Sequence, residues 1–185
     1  MDSVKHRIPT RRELWLLFVA VVFPLNVWSI LMFLHESPAY MRRMGVGDMF
    51  GIFSYSQAFA LIESLVVLGA LVFVCIALPR RMFKDKFVAQ GTIFMFVTFI
   101  WIIPVHYQIQ ILDKLSWNMA IYQVGVVIWI ITFFLAIVGM SLMIRRSQKA
   151  EQGANTFVEK LAVLSAIYIL IDIVGFIVVI YRNLI

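Results

Sequence analysis

Two carboxylic acids, Glu63 and Asp172, fall near the middle of long apolar runs. An ionisable side chain in hydrocarbon costs roughly 2.5–3.5 kcal/mol on insertion scales, so it faces a partner or a water-filled cavity and marks a site by default. Two such acids are the groups a proton or cation pathway would use. Other polar side chains fall on the same runs: Asn26 on the first, Gln57 beside Glu63 on the second, His106, Gln108 and Gln110 on the third, and Gln123 on the fourth. Counted at 1.5 Å per residue, Glu63 lies within roughly 3 Å of the centre of its run, and Asn26 and Asp172 lie about 3–5 Å to the outer side of theirs. The inner halves are much poorer, offering Cys75, Gln90, Thr92, Ser141 and Ser165. The expected site is therefore a polar pocket opening outward, floored by Glu63 and Asp172 and lined by Asn26, Gln57, His106, Gln108, Gln110 and Gln123.

Each of these residues has a plainer reading. A neutral carboxyl hydrogen-bonded across helices is a structural clasp, and His106 near the interface is an ordinary solvated histidine. His106, Glu63 and Asp172 have suitable donor atoms for a metal, but no local ligand spacing joins them, and neither metal nor cofactor is expected. Cys75, the one cysteine, sits within an apolar run and reads as a small buried hydrophobe.

The elements that must hold these residues are helices. The chain of 185 residues is 63% hydrophobic and 14% charged, whereas soluble domains are roughly 45–50% apolar and about 25% charged. Its mean hydropathy is +0.95. A bilayer core takes about 20 apolar residues per helix. Five stretches meet that length: 14–34, 51–78, 88–112, 121–144 and 157–181. The fold class is all-α, a single membrane domain over 1–185 built as a five-span bundle. Thr10 and Glu13 form a T-x-x-E capping box before the first span, and Thr156 and Glu159 repeat the spacing before the fifth. Asp48 and Asp85 are N-cap candidates for the second and third, and Pro79 closes the second. The polar stretch 147–155 is expected to be a mobile linker. The basic start resembles a signal peptide, but its apolar run is too long and His35-Glu36-Ser37-Pro38 is a poor cleavage site, so a retained anchor is expected.

Helical faces carry the reading further. Ser56, Ala60, Glu63, Val67 and Ala70 share a stripe, which is expected to turn Glu63 into a packed interface or cavity. Ser165, Tyr168, Asp172 and Gly175 share another. Pro24 and Pro104 are expected to kink the first and third helices. Between the first two spans, His35 to Asp48 mixes Met and Tyr with Arg42 and Arg43, and reads as an interfacial piece, a lid or a weak headgroup-docking surface.

Twelve of the sixteen Lys and Arg residues fall on one side if the spans alternate: Lys5, Arg7, Arg11, Arg12, Arg80, Arg81, Lys84, Lys86, Arg145, Arg146, Lys149 and Lys160. Arg42, Arg43, Lys114 and Arg182 fall on the other. The positive-inside rule then puts the N-terminus in the cytoplasm and the C-terminus outside, in a plasma or inner membrane. The net charge of +6 suits orientation and anionic headgroups rather than nucleic acid, since no basic motif or stacking platform accompanies it.

No P-loop, H-E-x-x-H or G-x-S-x-G sequence is present, and no nucleophile has an adjacent base. Three function classes remain. The first is a non-enzymatic accessory or scaffold module whose partners are the lipid bilayer and other membrane helices, including a second copy. The second is a transporter or channel using Glu63 and Asp172. The third is a small lipid-modifying enzyme.

Overall fold

Thr10 starts the first helix as the sequence predicts. Its hydroxyl accepts from the Glu13 amide at 3.3 Å, and the Glu13 carboxylate accepts from the Thr10 amide at 2.6 Å. Two of the amides that a helix start leaves unpaired are thereby satisfied. The computed structural model describes residues 9–77, 86–112 and 119–184, with the side chains of 105–123 outside that description. Five helices follow in order: α1 Arg11–Met41, α2 Val46–Ala77, α3 Phe87–Leu112, α4 Met119–Arg146 and α5 Gln148–Leu184. All five are long and apolar enough to cross a membrane.

Four boundaries differ from expectation, each for a local reason. First, α1 runs through Pro38 to Met41. Proline has no amide hydrogen to give the carbonyl of Leu34 one turn back, and the Ser37 hydroxyl donates to that carbonyl at 2.9 Å instead. Only residues 42–45 then separate α1 from α2, so the segment carrying Arg42 and Arg43 is a tight turn rather than a lid. Both arginines are exposed, and the amides of Arg43 and Met44 donate to the Tyr40 carbonyl. Second, Asp48 lies in the first turn of α2 rather than capping it. Third, the expected linker 147–155 is helix, with Ser147 alone between α4 and α5. The Ser147 hydroxyl accepts from the Ala150 amide at 3.3 Å, and the Gln, Lys, Ala and Glu that follow are good helix formers. Fourth, Thr156 is consequently inside α5 and starts nothing. Asp85 and Pro79 lie outside the described residues.

The helices alternate in direction. Arg12 pairs with Glu159, the Ser165 hydroxyl donates to the Val19 carbonyl, and Asn26 bonds Asp172. The offset of 146–147 residues is constant through these contacts, so α1 and α5 run parallel along one seam. Contacts repeating about every seven residues are those of helices crossing at a shallow angle. α2 runs antiparallel to both: Ser56 meets Ser29, and Asp48 meets Arg182. These three helices form the centre of the bundle. α3 packs against α1, and α4 lies outermost against α3, where the Trp101 indole donates to the Trp129 carbonyl at 3.3 Å.

The bundle is chemically divided along its length. Near the end that carries Thr10 and Glu159, the core cluster is apolar, with Leu17, Ala20, Val21, Leu71, Cys75, Phe87, Val88, Met95 and Val158, and Gln90, Thr92 and Ser165 are buried polar residues in that half. Beyond it, toward Asp48 and Arg182, the buried interior is polar, with Asn26, Ser54, Gln57 and Asp172.

Candidate functional site

The polar interior is built by α1, α2 and α5. On α1, Asn26 sits two turns above Val19, and its amide nitrogen donates to the Val22 carbonyl at 3.2 Å and to the Asp172 carboxylate at 3.0 Å. Asp172 is brought there by the parallel seam, seven residues beyond Ser165. On α2, the Gln57 amide nitrogen donates to the Ser29 hydroxyl at 3.2 Å, and Ser29 shares a 2.6 Å hydrogen bond with Ser56. Asn26, Gln57 and Asp172 are each 0% exposed.

Gly175 explains how closely α2 and α5 meet. A side chain at that position would place its first carbon 2.9 Å from the Ser54 carbonyl oxygen and 3.1 Å from the Gln57 Cβ. Gly175 lies one turn beyond Asp172, so the absence of a side chain lets Gln57 reach the level of the Asn26–Asp172 pair. Above it, toward the end of the bundle, Arg182 bonds the Gly47 carbonyl and Asp48, and Asn183 bonds the Tyr55 hydroxyl at 2.7 Å. Those contacts close α5 onto α2.

The structure brings Asn26, Gln57 and Asp172 together and leaves Glu63 apart. Glu63 is exposed on the outer face of α2, among Phe59, Ile62 and Val66. Among the described residues, none hydrogen-bonds or pairs with its carboxylate. The expected common pocket floored by both acids therefore does not form from the described residues. The reason is helical phase. The buried face of α2 advances by sevens through Gln57, Ser64 and Leu71. Glu63 precedes Ser64 by one residue, which turns it about 100° away from that face. On the stripe that Glu63 shares with Ser56, Ala60 and Val67, Ala60 is buried and Val67 packs against the core, while Glu63 lies at the stripe's outer edge. The side chains of His106, Gln108, Gln110 and Gln123 lie outside the described residues.

Two cavities accompany these groups. A shallow apolar notch of about 240 Å³ lies between α2 and α5, lined by Phe50, Phe53, Ser54, Leu170, Val174 and Gly175. A polar crevice of about 340 Å³ lies at the opposite end, where Arg12, Glu13, Glu151 and Glu159 surround Lys86. There the Lys86 ammonium is 2.7 Å from Glu151 and donates to the Ile144 carbonyl at 2.8 Å, near the C-terminal end of α4. A cation at a helix C-terminus is well placed for the dipole and for the unpaired carbonyls. Neither cavity is lined by Glu63 or Asp172.

Ser29 and Ser54 are the members of the polar interior that the sequence reading missed. Ser29 lies three residues after Asn26 and Ser54 three before Gln57, each on the same helical face, so the spacing to residues already singled out would have found them. Among the described residues, no group of three or more His, Cys, Asp or Glu side chains could hold a metal ion. Comparison of the chain with models of protein families, with curated proteins and with solved structures finds no match.

Proposed function

We propose that this chain is a membrane assembly module, a helical bundle that binds a partner helix on the outer face of α2. The observation that carries this reading is the exposed carboxyl of Glu63, close to the midpoint of an apolar helix of 32 residues and without a partner among the described residues. A carboxyl left against lipid has nothing to satisfy it. A second helix laid on this face removes it from lipid. The surrounding surface suits such a contact, with Phe59 61%, Val66 66% and Phe73 71% exposed. Gly69 and Ala70 leave room there for close approach.

Carrier and channel readings would place both acids on one path. Their separation, with Asp172 enclosed and Glu63 turned outward, favours assembly over transport. Lipid modification finds no support in a nucleophile–base pair. The partner helix belongs either to another protein or to a second copy of the chain.

The test uses photo-crosslinking residues placed at Ile62 and Val66 in the full chain in its native membrane. The control position is Val163, which is 75% exposed on α5. We expect discrete protein adducts from α2, none from Val163, and their loss on Glu63→Leu. An adduct of twice the chain mass identifies a second copy, and any other mass identifies a different protein. Lipid adducts alone at all three positions would sink the assembly reading.

A further inference from the structure

The polar interior has an imbalance between donors and acceptors. Both hydrogens of the Asn26 nitrogen are committed, to Asp172 and Val22, and one of the two on the Gln57 nitrogen is committed to Ser29. Three oxygens are left over. Asn26 Oδ1, Gln57 Oε1 and Asp172 Oδ1 are all buried and have no hydrogen-bond partner among the described residues. They belong to three different helices, and those helices are the three packed most closely together. Asn26 touches Asp172 directly, Gln57 holds Ser29 one turn along from Asn26, and Gly175 one turn along from Asp172 lies against Gln57.

We propose that Asn26, Gln57 and Asp172 bind one small monovalent cation, sodium, at the junction of α1, α2 and α5. Buried acceptors without donors require either a donor or a positive charge. A water molecule has two hydrogens and would serve two of the three oxygens. One cation can be shared by all three. Its charge follows from an ionised Asp172: one carboxylate balances one positive charge, whereas a divalent ion would leave a net charge in the bundle core. Its chemical class follows from the ligands, which are all hard oxygens with no thiolate or imidazole among them. Sodium, smaller than potassium, suits a junction where α2 and α5 pack closely at Gly175. Holding three helices by one ion makes sodium a ligand of the folded bundle, which raises stability by mass action. This site is independent of the Glu63 face and does not rest on the assembly reading.

The closing experiment measures thermal unfolding of the purified full chain in detergent, prepared in choline chloride. Sodium replaces choline at constant ionic strength, with potassium as the comparison ion. We expect a saturable rise in melting temperature with sodium and a smaller or absent rise with potassium. Binding of radioactive sodium to the same preparation should be displaced by sodium and not by choline. Asp172→Asn should abolish both signals. Should that variant fail to fold, Gln57→Met removes one ligand at similar volume and should weaken sodium affinity at least about tenfold. Turning the Gln57 amide round would instead give Asp172 a donor and require no ion. A melting temperature identical in sodium and choline, with no displaceable sodium, reports that outcome and overturns the proposal. So does unchanged sodium affinity in folded Asp172→Asn or Gln57→Met.

Discussion

At the scale of the residue, Asn26 and Asp172 form a pair whose two halves are unequal to lose. Removing a donor leaves a buried acceptor unsatisfied, which costs about 1–3 kcal/mol. Removing both partners together leaves nothing polar to satisfy. We therefore predict that Asn26→Leu lowers unfolding stability by about 1–3 kcal/mol, and that Asn26→Leu combined with Asp172→Leu recovers part of the loss. Denaturation of the four proteins in detergent gives the interaction energy of the pair. Additive losses would mean that the 3.0 Å bond contributes nothing measurable. The members of this pair were legible in the sequence, because polar residues deep in apolar runs are few and their depth follows from counting. Their pairing was not. Depth says how far along its helix a residue lies, and it says nothing of which helices are neighbours.

At the scale of the element, the close approach of α2 and α5 depends on Gly175. A methyl group there would meet the Ser54 carbonyl, which is backbone and cannot rotate away. We predict that Gly175→Ala destabilises the bundle by about 1–3 kcal/mol, the usual cost of overpacking. Gly153 sits on α5 in open space. Gly153→Ala should be neutral or stabilising by up to about 1 kcal/mol, since alanine is the better helix former. Matched melting curves check both, and equal effects would deny the contact its role. The span count was legible because hydropathy and length act locally. Face was harder. α2 carries two polar stripes, one through Ser54, Gln57 and Ser64 and one through Ser56 and Glu63. Both have the small and polar residues of an interface. The positions of α1 and α5 bury the first and, although Ser56 reaches Ser29 on α1, leave Glu63 exposed, and those positions are tertiary. The opening of α5 shows the complementary error. Polar composition at 147–155 suggested a linker, but composition records solvent exposure, whereas Ser147 and its helix-forming neighbours determine the backbone.

At the scale of the whole molecule, charge and polarity are both sorted along the bundle axis. Arg12, Lys86, Glu151 and Glu159 gather at one end, and Asp48 and Arg182 meet at the other. Alternating helix directions bring α1, α3 and α5 to start at the first end, where α4 finishes. Among the described residues, most of the basic side chains therefore collect there, and Arg42, Arg43 and Arg182 sit at the other end, in the turn after α1 and at the close of α5. The outermost helix adds a second asymmetry: among the described residues of α4, Ile144 alone is fully buried. The rest of that helix adds lipid-facing area without joining the core.

From the positive-inside rule we predict that the Arg12 and Glu159 end faces the cytoplasm. Cysteine accessibility tests it. In a Cys75→Ala background, we predict that Met44→Cys reacts with a membrane-impermeant thiol reagent on intact cells, while Lys149→Cys reacts only after the membrane is opened. Both substituted positions are exposed, so neither result depends on local unfolding. The reverse pattern would turn the molecule over and place the polar half of the bundle on the cytoplasmic side. Labelling of both positions in intact cells would mean that the two ends do not face opposite compartments. The direction matters for the interior, because it decides which solution is nearer the enclosed oxygens of Asn26, Gln57 and Asp172. With the basic end inside, the polar half faces the outer solution, and any ion reaching those oxygens along the shorter route arrives from outside.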